Sequence, residues 1–382
     1  MKRDNKGIFL AALILAAIIF SFLTIYAFGE HKSSGFSVSA KSAVLYQPDL
    51  DVFLYSKNAD ERLPMASTTK IMTALIALEN STMDEKVEIE DAAIGIEGSS
   101  AYLKRGDVLT MEELLYALLL QSANDAATAI AYHIGGNVEA FADMMNDRAE
   151  KLGLSNTHFE NPHGLDGEKH YTTARELALI AAEAMKNEEF KKIVSTYKRT
   201  FATEERSRTY VNHNKLLQLY EGCIGVKTGF TKKSGRCLVG ASEKDGLCFI
   251  TVTLDAPGDW KDHSVMMNYG YDRLERLCLT NEFDHVYSVP VIDGKSEKIT
   301  VANTEGAYII TETDRDAAKE EITLVRYAIA PINRGDILGE IIYTLNGEVV
   351  KRVPLVATES IEKAEKQGLF NKILSIFDNK WR

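Results

Sequence analysis

From about Ser37 to Thr280, short β-rich runs of hydrophobic residues alternate with long apolar helical runs. This pattern predicts one large α/β domain, a mixed sheet flanked by helices. Residues 42–49 are typical of an early strand that closes in a turn, and residues 51–56 are typical of its hairpin partner. The sheet is therefore expected to begin with a hairpin.

Two long apolar helices are predicted inside this domain. The first opens near Ser67 and is apolar on nearly every side through residues 71–78, as expected of a helix buried within a domain. The second covers residues 111–120, and Thr110 followed by Glu113 has the spacing of a capping box at its start.

The pattern changes after Asn281, where helical periods disappear. Short alternating stretches at 298–301, 307–310 and 341–345, separated by turn residues, predict a small all-β domain over about 283–357. Residues 359–382 are charged at first, and large apolar residues then follow at helical spacing. We expect this tail to form a membrane-associating amphipathic helix, and the alternative is that it packs on the β domain.

The first 30 residues form a membrane-targeting segment. A positively charged start leads into an apolar run from Ile8 to Phe28, about 21 residues, which is long enough to span a bilayer as a helix. It is expected to be either an uncleaved membrane anchor or a signal segment removed after Gly29, and the sequence leaves both open. In either case the chain after residue 30 is expected on the extracytoplasmic face of the cell membrane.

Composition and charge exclude some partners. The 382 residues carry 44 basic and 55 acidic side chains, a net charge of −11, and no long basic run, so no nucleic-acid partner is expected. The spacing of the four cysteines, Cys223, Cys237, Cys248 and Cys278, fits neither a zinc ribbon nor a dense disulfide framework. We expect buried or free thiols. One disulfide is the alternative, and the sequence does not assign its two cysteines.

The first candidate for chemistry is Ser67-Thr-Thr-Lys70, which places a hydroxyl and an amine on one face at the start of a helix. A buried lysine with a lowered pKa can act as the base that activates a serine. The spacing alone is weak, because 195–198 and 360–363 contain the same pattern. Ser67 is favoured because a buried apolar helix follows it.

Two further motifs come later in the chain. Ser122-Ala-Asn124 directly follows the second apolar helix and supplies a hydroxyl and an amide beside that site. Lys227-Thr228-Gly229 lies in a strand-like context, where the lysine and the threonine can bind a carboxylate and the glycine lets a substrate backbone approach. Each motif alone is weak, but their order and separation together are specific.

That order matches the motifs of penicillin-binding proteins and class A β-lactamases. The chain resembles the low-molecular-mass D-alanyl-D-alanine carboxypeptidases of the serine peptidase S11 type, and the β domain and the amphipathic tail resemble their usual C-terminal half. An apolar N-terminal run that can stay uncleaved departs from that pattern. The resemblance is carried by residues 63–74, 120–127, 161–166 and 225–231.

The resemblance implies a role for each residue of the first two motifs. Ser67 would be acylated by the penultimate D-alanine of a peptidoglycan stem peptide and would release the terminal D-alanine. Lys70 would be the general base, Ser122 the proton relay, and Asn124 an organiser of Lys70 and of the substrate amide. β-Lactams would be covalent inhibitors, and neither a metal nor another cofactor is implied. His163 and His170 lack metal-ligand spacing, and His163 is expected to be structural.

The third motif would bind the substrate. Lys227 and Thr228 would hold the terminal carboxylate, with Gly229 at the point of approach. The backbone N–H groups of Phe230 and of the nucleophile would form the oxyanion hole. Arg208 is a further candidate for binding the carboxylate.

Three other functions share parts of this pattern. A class A β-lactamase needs a deacylating glutamate, and no Glu-x-x-Leu-Asn segment lies between Asn124 and Lys227. A transpeptidase would share the acyl-enzyme and differ only in its acceptor. A non-catalytic sensor of cell-wall peptides or β-lactams would need an output domain, which the residues before Ile8 cannot supply.

Overall fold

The computed structural model describes residues 35–202, 206–312 and 318–365. The predicted N-terminal membrane segment, residues 1–30, and residues 366–382 of the predicted amphipathic tail lie outside these ranges. Residues 359–365 of that tail are described and are not helical. The predicted helix start at 359 is therefore wrong, because Ile361 is buried in the core of the β domain and pairs with Ile332. Within the described ranges, every helix is too short or too polar to span a bilayer.

The helices and strands are numbered in chain order. The α-helices among the described residues are α1 (Lys70–Asn80), α2 (Met111–Leu120), α3 (Asn124–Gly135), α4 (Val138–Lys151), α5 (Ala174–Met185), α6 (Glu188–Ser195), α7 (Leu216–Leu219) and α8 (Asp259–Arg273), with 3-10 turns at Ala66–Thr69 and Asp91–Ala93. The strands are β1 (Ser42–Gln47), β2 (Val52–Lys57), β3 (Lys86–Glu88), β4 (Val108–Thr110), β5 (Lys198–Ala202), β6 (Ser207–Val211), β7 (Cys223–Thr231), β8 (Gly235–Lys244), β9 (Leu247–Leu254), β10 (Leu274–Thr280), β11 (Val286–Ile292), β12 (Lys298–Ala302), β13 (Ala307–Glu312), β14 (Lys319–Leu324), β15 (Ala328–Ile329), β16 (Ile337–Leu345) and β17 (Glu348–Ala357).

The main sheet has the strand order β2-β1-β9-β8-β7. The predicted α/β domain and its opening hairpin β1–β2 are confirmed, but the prediction of a mixed sheet is wrong, because every neighbouring pair in this sheet is antiparallel. The short connections within β1–β2 and β7–β8–β9 force three of these pairs to be antiparallel, and the distant strands β1 and β9 also pair in antiparallel orientation. The helical region between β2 and β7 joins the two edges of the sheet.

Both faces of the sheet are covered. Along β1 every residue is buried, and successive side chains alternate between the faces. Val44 and Tyr46 join the large core that includes the buried helices α1 and α2, whereas Ala43 and Leu45 join a second core with Met266 of α8. The nucleophile region therefore rests on a layer packed from both sides.

The start of α2 differs in one detail from its prediction. Thr110 Oγ1 accepts a hydrogen bond from Glu113 N (3.1 Å), so Thr110 is the expected cap. The Glu113 carboxylate does not complete a capping box. It is buried and pairs with Arg206 (3.0 Å). Because Arg206 is far from Glu113 in the sequence, a local sequence pattern could not predict this contact.

The C-terminal region is all-β among its described residues, as predicted. Its six-stranded sheet has the order β14-β16-β17-β12-β11-β15 and its own hydrophobic core, which includes Val289, Val301, Ile341 and Leu355. Strand β10, which follows α8 directly, pairs with β13. The domain boundary between residues 280 and 283 stays a prediction.

The four cysteines fall within the described ranges and are free thiols. The expectation of buried or free thiols is therefore confirmed for Cys223, Cys237, Cys248 and Cys278, of which Cys237 is buried and Cys278 is exposed.

Candidate active site

The candidate nucleophile lies in the 3-10 turn Ala66–Thr69 that leads into α1. Ser67 is half-buried there, and its Oγ lies 2.9 Å from Lys70 Nζ. The predicted contact between the serine and the lysine is confirmed. Ala66, directly before Ser67, has a φ of +48°, an unusual left-handed conformation for a residue with a side chain.

Lys70 is fully buried, and its Nζ has three polar neighbours. Besides Ser67 Oγ, it donates to Asn124 Oδ1 (2.7 Å) and to the carbonyl of His163 (2.6 Å). Burial and the nearby charge of Lys227 hold the pKa of Lys70 well below its usual range, and Asp125 opposes this shift. The burial predicted for a lysine base is therefore present, and a second cationic side chain, Lys227, adds to its effect.

The arrangement fixes where the lone pair of a neutral Lys70 amine points. Asn124 Nδ2 donates to the carbonyl of Glu97 (2.5 Å), so Asn124 Oδ1 faces Lys70 as an acceptor. The carbonyl of His163 is also an acceptor only. A neutral amine has two N–H groups, and these two acceptors take both, which leaves its lone pair for the hydroxyl of Ser67.

Ser122 and Asn124 lie where α2 ends and α3 begins, as the sequence predicted. Ser122 is buried and has a φ of +61°, and the backbone N–H of Asn124 donates to the carbonyl of Ser99 (2.7 Å). This segment is therefore held against the preceding loop. The proton relay assigned to Ser122 stays a prediction.

Asp125 has a positioning role that the sequence did not identify. Its buried carboxylate accepts hydrogen bonds from Ser100 Oγ (2.6 Å), Ala101 N (2.9 Å) and Leu103 N (3.1 Å). It thus fastens the loop before β4 to the start of α3. The only sign of this role in the sequence was that an acidic residue follows Asn124.

Lys227, Thr228, Gly229 and Phe230 lie on β7, which confirms the predicted strand context, and β7 is an edge strand of the main sheet. Lys227 is buried, which lowers its pKa to about 7, and its Nζ donates to the carbonyl of Thr228 (2.8 Å). Thr228 and Gly229 are half-buried, and Phe230 is 66% exposed.

Gly229 brings the edge strand against the nucleophile. A side chain at this position would place its Cβ 3.0 Å from Ser67 N and 3.1 Å from Thr68 N. The absence of a side chain at Gly229 therefore allows β7 to lie directly beside the backbone of the turn. The structure thus brings the first and third motifs together.

The loop 161–164 supplies a functional group that the sequence analysis missed, the carbonyl of His163. Asn161 Oδ1 accepts from Gly164 N (2.7 Å), and Thr73 Oγ1 of α1 donates to the carbonyl of Pro162 (2.6 Å), so the loop is fastened internally and to the helix. The contribution of His163 is a backbone atom. The run Asn161-Pro-His-Gly marked the loop but not this contact.

The remaining candidates lie elsewhere. Ser195 ends α6 and Lys198 begins β5, so this second serine–lysine pair does not share a helix. Arg208 pairs with Asp107 (2.5 Å) and donates to the carbonyl of Ala101 (3.1 Å). The guanidinium thus holds the same loop as Asp125, and its role toward a substrate carboxylate stays a prediction.

Two families of known proteins match this chain. Residues 28–258 match the peptidase S11 family, D-alanyl-D-alanine carboxypeptidase, and residues 281–363 match the C-terminal domain of penicillin-binding protein 5. The D-alanyl-D-alanine carboxypeptidase DacF of Bacillus subtilis is 34% identical over 345 residues, which cover 87% of this chain and 88% of that protein. A D-alanyl-D-alanine carboxypeptidase of Streptomyces sp. strain K15 is 39% identical over 57% of this chain and 82% of that protein.

Solved structures are similar over most of the chain. The D-alanyl-D-alanine carboxypeptidase DacD from Francisella tularensis has a TM-score of 0.62 and 26% identity, covering 86% of this chain and 95% of that one. A peptidoglycan synthesis regulatory factor (PBP3) from Streptococcus pneumoniae has a TM-score of 0.67 and 25% identity, covering 86% of this chain and 100% of that one. The similarity therefore spans both the α/β region and the β domain.

Proposed function

The chain belongs to the peptidase S11 family of serine-type D-alanyl-D-alanine carboxypeptidases, and we propose that it removes the terminal D-alanine of peptidoglycan stem peptides through an acyl-enzyme on Ser67. The observation that carries this assignment is the environment of Lys70. Its buried amine lies 2.9 Å from Ser67 Oγ, and acceptor oxygens take its two N–H groups.

In the acylation step, the hydroxyl proton of Ser67 passes to the neutral amine of Lys70. Ser67 Oγ then bonds to the carbonyl carbon of the penultimate D-alanine, and the bond from that carbon to the terminal D-alanine nitrogen breaks. The leaving nitrogen takes up the proton through Ser122. Water hydrolyses the resulting ester, which returns the serine hydroxyl.

The substrate is held on the edge strand β7. Lys227 and Thr228 bind its terminal carboxylate, and the backbone N–H groups of Ser67 and Phe230 stabilise the oxyanion. Support for this assignment is the close approach of the strand to the nucleophile backbone at Gly229, where an added Cβ would lie 3.0 Å from Ser67 N. A free strand edge can also pair with an extended peptide.

We also propose that the enzyme works on the extracytoplasmic face of the cell membrane. The support is the charged start and the apolar run of residues 1–30, together with the basic amphipathic pattern of residues 366–382. Either segment can hold the chain at the membrane, where newly made peptidoglycan is found. Fractionation of cells that express the full chain and a chain ending at residue 365, which keeps Ile361 in the core of the β domain, tests the contribution of the tail.

The test of function is D-alanine release from a peptide ending in D-alanyl-D-alanine, measured for the wild type and for Ser67→Ala, with fluorescent-penicillin labelling in parallel. Release and labelling are both expected for the wild type and both lost in Ser67→Ala. Labelling without release would contradict the carboxypeptidase assignment and favour a sensor or a transpeptidase. Release that persists in Ser67→Ala would contradict the assignment of the nucleophile.

A further inference from the structure

The strained residue before the nucleophile is held from two sides. The carbonyl of Ala66 accepts a hydrogen bond from Thr69 Oγ1 (2.8 Å). On another side, Gly164 packs so closely that an added Cβ would lie 2.0 Å from the same oxygen. A residue with a side chain stays in the left-handed conformation only where its surroundings impose it. For Ala66, the contacts of its carbonyl with Thr69 and Gly164 impose that conformation.

Thr69 in turn contacts His170, a buried histidine that is 3% exposed and that the proposed mechanism does not use. His170 Nε2 lies 2.8 Å from Thr69 Oγ1, and its Nδ1 accepts a hydrogen bond from the backbone N–H of Glu160 (3.0 Å). The ring also packs edge-on against Phe159.

These contacts allow a single direction for the hydrogen bonds. Because Nδ1 of His170 accepts from the Glu160 N–H, it carries no proton, and a neutral imidazole must then carry its proton on Nε2. Nε2 therefore donates to Thr69 Oγ1, and the hydroxyl of Thr69 is free to donate to the carbonyl of Ala66. Burial, with smaller contributions from the charges of His158 and Lys70, lowers the pKa of His170 to about 4, so the ring is neutral at pH 7.

We propose that His170 and Thr69 are positioning residues, a directional relay from the backbone of Glu160 to the carbonyl of Ala66 that holds the turn presenting Ser67. The proposal rests on the assignment of Ser67 as the nucleophile. The same relay ties the turn to the segment that carries the His163 carbonyl, one of the two acceptors of Lys70. Loss of the relay changes the alignment of nucleophile and base without removing either.

The test replaces the hydroxyl of Thr69. Thr69→Val keeps the buried shape and removes both hydrogen bonds, whereas Thr69→Ser keeps the hydroxyl. The acylation rate constant and the dissociation constant of the pre-covalent complex are measured separately with a fluorescent penicillin by stopped flow. The rate constant is measured on the molecules that react, so it does not depend on the folded fraction.

We expect Thr69→Val to lower the acylation rate constant by about 10- to 100-fold, the scale of a small misplacement of reacting groups. Its pre-covalent dissociation constant should stay within about twofold of the wild type, because the carboxylate site on β7 is untouched. Thr69→Ser should recover most of the lost rate. His170→Phe, which keeps a ring against Phe159 but cannot donate, should resemble Thr69→Val.

The chain contains a matched control for the loss of a buried threonine–histidine contact. Thr251 Oγ1 lies 2.6 Å from His263 Nδ1 in the core between β9 and α8, and both residues are buried. Thr251→Val should lower the melting temperature but leave the acylation rate constant unchanged. A loss of rate in Thr69→Val alone thus separates positioning from general destabilisation.

Two outcomes overturn the proposal. One is Thr69→Val with the acylation rate constant of the wild type, and the other is an equal loss of rate in Thr69→Val and Thr251→Val. Both are distinct from failure of the proposed function, in which the wild type itself would not label at Ser67. If Thr69→Val yields no folded protein, the same comparison between His170→Phe and Thr251→Val decides the matter.

Discussion

Gly164→Ala should nearly abolish acylation, because the added methyl group would occupy the position of the Ala66 carbonyl. Its Cβ would lie 2.0 Å from Ala66 O and 2.9 Å from Ser67 N, both backbone atoms. The loop and the turn would have to separate by about 1.4 Å to reach the 3.4 Å of an ordinary contact. A misplacement of about 1 Å can cost about 100-fold in rate, and we expect a loss of that order.

A second cost comes from the backbone. Gly164 has a φ of +89°, and a side chain in the left-handed region costs about 1–2 kcal/mol. For a domain of 150–250 residues, each kcal/mol lowers the melting temperature by about 2–4 °C. This destabilisation adds to the effect of the overlap, and a control must separate the two.

Gly153→Ala is that control. Gly153 also has a left-handed φ, +75°, but an added Cβ there meets nothing within 4 Å. We expect Gly153→Ala to lower the melting temperature by several degrees, about 2–8 °C from the strain alone, and to acylate at the wild-type rate. The assay is the acylation rate constant with a fluorescent penicillin, beside a thermal melt. Equal acylation rates in the two variants would refute the close packing of the loop on the nucleophile turn.

Three further predictions concern single groups. Asn124→Asp places a carboxylate beside the amine of Lys70, which raises the pKa of that amine. The acylation rate should therefore fall at pH 7 and recover as the pH is raised, and a flat pH profile of the variant would contradict this. Burial lowers the pKa of Lys227 to about 7, and the side chain must be protonated to bind a carboxylate. The value of kcat/KM for a peptide with a free carboxylate should therefore fall as the pH rises above about 7. Lys227→Arg stays charged, so its kcat/KM should not show this fall. In thiol titration with a disulfide reagent, the exposed Cys278 should react first and Cys237, whose pKa burial raises to about 12, should stay unreactive until unfolding. Fast labelling of Cys237 itself in the folded protein, located by peptide mass spectrometry, would argue against its burial.

The sequence predicted the parts of the site that are local or that carry a distinctive side chain. Ser67 and Lys70 are three residues apart at the start of a helix, so their contact follows from helix geometry. Thr110 was predicted as a cap for the same reason. The position of Lys227 on a strand followed from its strand-like context, but the place of that strand at a sheet edge did not.

What the sequence did not predict depends on contacts between distant segments. The carbonyl of His163 is a backbone acceptor, and no side-chain pattern distinguishes one carbonyl from another. The partner of Glu113 is Arg206, 93 residues further along the chain. Within the main sheet, the pairing of β1 with β9 joins strands from opposite ends of the domain. Such pairings are set by the whole core and not by local spacing.

The central claim, that Ser67 is the nucleophile, is tested most directly by locating the penicillin adduct in the protein. Trypsin is expected to cut after Arg62 and Lys70, so Ser67 falls in the peptide 63–70, and mass spectrometry of that peptide with fragmentation assigns the modified residue. The account predicts one adduct per chain on Ser67, and no adduct in Ser67→Ala. An adduct on Ser122 or on a peptide outside residues 63–70, with Ser67 unmodified, would contradict it.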